Sequence, residues 1–288
     1  MNEQDHSNIR IRIMQESDIP DCHRLREQAG WNQTLSDWER FLSYNPQGCF
    51  VAWREERIVG TVCTIPYENR FGWVAMVIVD RECRRMGIGT LLLNQGIHHL
   101  EESGLTVKLD ATPSGKMLYD TLGFQDEYGV ARLECNSLQI PEKDDDCHSL
   151  ILKDLDRLDE YDRSVFGASR LPVLTSYMQY FPQFAFHIEE QNRILGYIMA
   201  REGTHAFHIG PWVAEDPDCA ARLLITVLQK RRPEKVFVDI VEPNPHVRTF
   251  LEKIGFREQR PFIRMFKGNN RHPGCPERIY GLSGPELG

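Results

Sequence analysis

V-I-V-D-R-E-C-R-R-M-G-I-G-T-L-L-L, residues 77–93, is the most informative segment of the chain. It closes an almost unbroken apolar run, 71–79, as a strand buried on both faces would. It then opens a helical pattern in which Ile88, Leu91, Leu92 and Leu100 share one side until Gly104 ends it. Between strand and helix lies a basic turn with two glycines. The first N–H groups of a helix have no internal partner, and with the helix dipole they attract an anion. Gly87 and Gly89 remove side chains that would hold a pyrophosphate away from those amides. Arg84 and Arg85 bring positive charge beside them. Taken alone, the same residues also describe a tight turn with solvated arginines. A dinucleotide-binding turn fits poorly, because Leu92 stands where its third glycine belongs. A P-loop is excluded by the lack of a closing Gly-Lys-Ser/Thr.

Upstream, residues 9–14 read as a strand, followed by a helix that ends near Gly30. A second helix begins after Thr34 or Ser36, either of which can cap it, and runs towards Tyr44. Residues 49–54 and 57–66 form a hairpin around Glu55–Glu56. Downstream, 106–109 is a strand, 113–122 a helix stopped by Gly123, and 124–133 a closing strand. Residues 136–147, with Pro141 and three consecutive aspartates, have little to bury and read as a linker. The order then recurs: R-I-L-G-Y-I-M-A at 193–200 echoes R-I-V-G-T-V-C-T at 57–64. Residues 215–231 are helical, 235–241 a strand, and 245–254 a helix ending in Gly255–Phe256, as the first half ended in Gly123–Phe124. A period of roughly 130–140 residues is domain-sized, far above solenoid repeats. The expected architecture is α/β: two tandem domains, each a mixed sheet flanked by helices. Their bounds are 1–135 and 148–288.

Composition narrows the function. The 288 residues are 41% hydrophobic and 26% charged, with 34 basic against 42 acidic residues and a formal charge of −8. No overall basic field draws this chain onto nucleic acid. Eight scattered cysteines form no C-x-x-C pair and no zinc spacing, so free thiols in a reducing compartment are expected. The polar start, MNEQDHSN, is not an apolar signal segment, and no apolar run is long enough to cross a bilayer. Cytoplasmic localisation is the expectation, with no membrane partner and no metal.

Arg84-x-x-Gly87-x-Gly89 resembles the acetyl-CoA loop, R/Q-x-x-G-x-G/A, of the GNAT (GCN5-related) acetyltransferase family. L-D-A-T-P-S-G-K-M-L-Y-D-T-L-G-F, residues 109–124, resembles that family's second signature in the right order and spacing. The resemblance covers nearly all of residues 9–135. The tandem order and the ending Y-G-L-S-G-P-E-L-G, 280–288, further resemble the YitH/HolE-like group, whose second domain is divergent. The resemblance implies that acetyl-CoA is the acyl donor, its pantetheine arm lying along Val77, Ile78 and Val79. By the same resemblance its pyrophosphate sits on the amides of Arg85, Met86, Gly87, Ile88, Gly89 and Thr90, with Arg84 alongside. Tyr119 falls where many members place the acid that reprotonates the CoA thiolate; a core aromatic on an amphipathic helix is the other reading. Lys116 either contacts a CoA phosphate or is solvated. Many members carry Asn before that tyrosine, but here the loop is T-P-S-G-K, in which Thr112 and Pro113 look like an N-cap and an N1 proline.

The base that deprotonates the amine is not identified by the resemblance. Glu68 and Asp110 are the acidic candidates, each also readable as a solvated or capping carboxylate. Trp31, Asn32 and Trp38 sit on segments that the family turns towards the acceptor, although Trp38 fits a core equally well. Direct transfer to the primary amine of a small molecule is implied, and a homodimer is compatible with it. A CoA-binding sensor without turnover is the alternative. In the second half Leu251 stands opposite Tyr119 and cannot donate a proton. The turn there reads E-D-P-D-C-A, 215–220, acidic where the first is basic, and would repel a pyrophosphate. The second domain is therefore expected to lack its own acetyl-CoA site and to cover the acceptor side of the first; His208, Pro211 and Trp212 are candidates for that wall, with ordinary packing the favoured reading of each.

Overall fold

The computed structural model describes residues 9–136, 140 and 147–288, and its chain divides into two compact units, Met1–Lys108 and Leu109–Gly288. Most of the expected linker lies outside the described residues. In the first unit β1 (Arg10–Ile13), β2 (Cys49–Arg54), β3 (Arg57–Tyr67) and β4 (Phe71–Val79) follow one another antiparallel, and β5 (Thr106–Ala111) joins β4 in parallel. Two helices, α1 (Ile19–Ala29) and α2 (Leu35–Tyr44), precede β2. Of the two candidate caps it is Thr34 that starts α2, in a reciprocal box with Asp37. The strand–turn–helix around residues 77–93 is β4, a short 3-10 turn at Arg81–Cys83, and α3 (Ile88–Glu102).

Two irregularities in β4 place the site. Met76 takes a left-handed φ of 53°, and the pairing with β3 slips between Thr61 and Cys63. That is a bulge, held by the Thr61 hydroxyl donating to the Met76 carbonyl at 2.7 Å. On its other edge β4 meets β5 only at Phe71–Trp73, and among the described residues no other strand pairs with that edge. The backbone of the bulged half of β4 is thus left with open hydrogen-bonding groups, the condition for adding an extended ligand.

The second unit contains α4 (Pro113–Thr121), β6 (Gln125–Cys135), β7 (His148–Ser149), α5 (Leu155–Phe166), α6 (Leu171–Tyr180), β8 (Ala185–Glu190) and β9 (Arg193–Arg201). It continues with β10 (Phe207–Ala214), α7 (Pro217–Arg231), β11 (Val236–Val241), α8 (Val247–Lys253), β12 (Arg257–Lys267) and β13 (Ile279–Gly281). Its strands run β12-β6-β11-β10-β9-β8-β7. Compactness thus divides the chain well before the expected linker, and the cause is β6. That strand ends the first sequence repeat, yet it is hydrogen-bonded on both edges to β11 and β12. A bidentate pair, Arg132 to Asp239 at 2.7 Å on each arm, fixes the register of β6 against β11. The core around them is apolar, with Trp212, Leu223, Leu251 and Phe256 all fully buried. No helix of the described residues is long and apolar enough to cross a membrane.

Candidate active site

The turn after β4 is braced from below. Asp80 caps Arg81–Cys83 by accepting from the Glu82 amide at 3.0 Å, and Arg24 holds its other oxygen at 2.9 Å. Burial lifts the Asp80 carboxyl, but its bonds to Arg24 and neighbouring donors outweigh that and keep it below the ordinary range. Arg54 donates to the Met86 sulfur at 3.2 Å. Above this base Arg85 and Gly87 both adopt left-handed backbone, φ 64° and 77°. For a non-glycine residue such a φ costs roughly 1–2 kcal/mol. Alternating hand along a turn points successive N–H groups to one side, which makes an anion-binding concavity.

The helix it leads into is left open. Gly87, the N-cap of α3, has no side chain to offer, and the first turn contains no acid. The first intrahelical bond is made by the Leu91 amide to the Gly87 carbonyl at 3.0 Å, so the amides of Ile88, Gly89 and Thr90 have no helical acceptor. Arg84 is tied only through its Nε to the Val79 carbonyl, and Arg85 has no hydrogen bond or ion pair among the described residues. Both are exposed. Among the described residues, two guanidinium groups without a counter-ion thus stand beside three amides without a helical acceptor, an arrangement with the charge and donors to hold an anion. Val77 and Val79 are half-buried on β4 and Ile78 is buried. A Cβ placed on Gly89 would meet only a Val79 methyl at 3.5 Å, an ordinary contact. The fold therefore leaves room for a side chain at Gly89.

The matching helix of the second half is closed. Asp216 caps α7 and accepts from the amides of Asp218 and Cys219, both at 2.9 Å. Glu215 beside it takes Arg193 at 3.1 Å and Arg278 at 2.6 Å. The donors that α3 leaves open are met here by the chain's own carboxylate.

Tyr119 lies on α4, which starts where Thr112 accepts from the Gly115 amide at 3.3 Å, with Pro113 next. Its ring packs edge-on to Phe124, centroids 5.9 Å apart, and lies over Gly115, where a Cβ would come within 2.9 Å of it. Among the described residues its hydroxyl has no hydrogen-bond partner. Burial pushes its pKa above the ordinary value, so it stays protonated through the neutral range. Lys116 is half-exposed and ion-paired with Asp120 at 2.8 Å and Asp126 at 2.9 Å.

The acidic candidates differ. Glu68 sits in the β3–β4 turn, φ 53°, with Arg70 at 3.3 Å. Asp110 is fully buried, and both its oxygens accept from Arg264 at 2.9 Å. Burial draws that carboxyl upward while Arg264, itself bonded to the Tyr128 hydroxyl at 2.8 Å, is raised above its usual value by Asp110. The pair is ionic, with Asp110's lone pairs committed to the guanidinium. Trp31 is half-buried, its carbonyl held by Arg26 at 3.2 Å, and Asn32 is buried. Trp38 is a core residue packed on Phe41. In the second half His208 and Trp212 are fully buried, His208 against Asp239 at 3.0 Å and Trp212 against Tyr280 at 5.2 Å. Both are core residues.

Comparison with known proteins gives the same reading for both halves. A family model described as GNAT acetyltransferase matches residues 14–124, and an acetyltransferase (GNAT) domain model matches 158–281. The chain is 23% identical to the holothin acyltransferase of Pseudoalteromonas sp., over 90% of this chain and 87% of that protein. It is 25% identical to YitH of Bacillus subtilis, described as an uncharacterized N-acetyltransferase, over 96% and 97% of the two chains. A crystal structure from Pyrococcus horikoshii shares the fold with a TM-score of 0.84 at 24% identity, over 98% of this chain and 96% of that one.

Proposed function

The chain belongs to the GNAT acetyltransferase family, as two such domains in tandem, and we propose that it acetylates a primary amine of a small-molecule acceptor directly from acetyl-CoA. The observation that carries the donor side is the open N-terminus of α3 beside Arg84 and Arg85, neither of which has a counter-ion among the described residues. The amides of residues 85–90 take the pyrophosphate, and the open edge of β4 at Val77–Val79 takes the pantetheine amides as an added strand. A small acceptor is favoured because a relative aligned over nine-tenths of the chain is named for acylating holothin.

The reaction needs no acyl-enzyme. The neutral amine nitrogen attacks the thioester carbonyl carbon, the carbonyl oxygen takes the charge, and collapse breaks the C–S bond. Tyr119 gives its proton to the leaving thiolate, and the nitrogen loses its proton to a base or to water. Of the acidic candidates, Glu68 has the exposure to exchange protons with solvent, whereas Asp110 is bound by Arg264.

One acetyl-CoA per chain is expected, since Asp216 closes the second helix. Titration calorimetry giving two equivalent sites would overturn the closed-helix reading. Gly89→Val removes no contact in the fold and improves helix propensity. It should weaken acetyl-CoA at least about tenfold by blocking a charge-assisted bond worth roughly 1.5–3 kcal/mol. An unchanged Kd in a variant with native thermal stability would take the diphosphate off this turn.

A further inference from the structure

The second half repeats the strand geometry of the first, but here the open edge is filled. β10 pairs with β9 along one side and on the other with β11 only at Phe207–Ile209. β4 and β5 part after a three-residue pairing in the same way. Past that point β10 takes β13 instead, antiparallel, with Trp212 opposite Gly281 and Val213 opposite Ile279. The next residue crosses the gap: the Leu282 amide donates to the Asp239 carbonyl on β11 at 2.8 Å. The segment is thus wedged between the two strands where they separate.

Side chains of the unit bind this segment and the residues after it as a receptor binds a peptide. Asn244 donates to the Ile279 carbonyl at 3.0 Å, and Tyr177 to the Ser283 carbonyl at 3.1 Å. Arg170 donates to the Ser283 hydroxyl and to the Gly288 carbonyl, each at 3.1 Å, and is itself held by both oxygens of Asp162 at 2.8 Å. Glu286 is buried on Arg201 at 2.9 Å, and that guanidinium is almost fully buried too. The fit is close: a Cβ on Gly210 would lie 1.8 Å from the Leu282 carbonyl oxygen. The segment has a backbone groove, a buried aromatic contact between Tyr280 and Trp212, and a buried arginine for its acid.

We propose that the second half carries a binding groove for an extended, acid-bearing peptide strand, and that its resident ligand is this chain's own segment 279–287. The segment occupies the edge that corresponds to the one acyl-pantetheine uses on β4; that correspondence rests on the function proposed above, whereas the groove does not. The second half is thereby barred from an acyl donor by occupation of its strand edge as well as by Asp216.

The test uses the full-length chain. In the wild type, the amides of residues 279–282 should exchange with deuterium as slowly as those of β10 and β11. Leu282→Pro with Glu286→Ala removes one backbone donor and one acid of the ligand while leaving the groove unaltered. A fluorescent peptide of sequence 276–288 should bind this variant saturably and the wild type at least about tenfold more weakly, because there the groove is filled. The same peptide carrying both changes should not bind. Should the double variant fail to fold, Glu286→Gln alone should still speed exchange across the segment and admit the peptide. Fast exchange of residues 279–282 in the wild type, or a folded variant that refuses the peptide, overturns the proposal. Acetyl-CoA affinity, measured in the same samples, should be unchanged, which separates this outcome from any failure of the donor site.

Discussion

Turnover of the Tyr119→Phe variant should fall about a hundredfold, with acetyl-CoA affinity and thermal stability close to wild type. General acid catalysis typically contributes ~10²–10⁴-fold, and the low end is expected because a thiolate is a tolerable leaving group that water can protonate. Stability should hold for a specific reason. Removing one partner of a buried hydrogen bond costs the desolvation of the other, but the Tyr119 hydroxyl has no partner among the described residues. The ring, its packing on Phe124 and its seat over Gly115 all remain. The pH dependence gives a second check. An acid works below its pKa, and burial places that of Tyr119 above its ordinary value near 10. The wild type should therefore show no falling alkaline limb from this group up to about pH 9. Steady-state rates with a turned-over amine, beside calorimetric acetyl-CoA binding, decide the matter. Unchanged kcat when chemistry limits the rate would make Tyr119 a packing residue.

The strand–turn–helix after β4 and the start of α4 are legible because their signals are local. Gly87 and Gly89 mark backbone that must be left-handed or uncluttered, and Thr112-Pro113 announces a helix start; neither depends on distant residues. The fate of Asp110 could not be read this way. Sequence shows a carboxylate at a strand end, while the guanidinium that claims it is Arg264, 154 positions away. The same holds for β6, whose alternation fits a closing strand of the first repeat. Its partners are set by a pair, Arg132 and Asp239, 107 positions apart. For His208 and Trp212 the sequence favours packing over a wall without settling it, because strand periodicity tells which face a side chain takes, not whether that face is later covered. Here segment 279–287 and the Arg132–Asp239 pair do the covering. The run between Cys147 and Arg193 has no resemblance to the first half strong enough to place its elements, yet it folds as β7, α5, α6 and β8.

Asp239→Ala should destabilise the second unit by about 3–5 kcal/mol, the usual cost of leaving a buried charge without its partner. Asp239 is fully buried and accepts twice from Arg132 at 2.7 Å and once from His208 at 3.0 Å. Burial pushes its carboxyl up, but Arg132 and His208 reverse this and hold it far below the ordinary carboxylate value. Arg132 is 4% exposed and lies over the Phe237 ring at 5.0 Å, so without Asp239 its charge has neither water nor a counter-ion at hand. At roughly 2–4 °C per kcal/mol for a unit of this size, Tm should drop roughly 6–20 °C. Replacing both partners, Arg132→Met with Asp239→Leu, should cost less than Asp239→Ala alone, because no charge is then stranded. The sign of the pH dependence is fixed by the depressed pKa. The Asp239 contribution is complete above the unfolded value near 3.9 and fades as pH falls through the folded one. The gap in stability between wild type and Asp239→Ala should therefore narrow below about pH 4. His208 acts earlier: burial lowers its pKa, so below about 6.5 the unfolded chain takes a proton the folded one refuses, and stability declines with falling pH. Urea unfolding of wild type and both variants between pH 3 and 8 measures each of these. A gap that stays constant down to pH 3 would mean that Asp239 is not the charged anchor of β6 against β11.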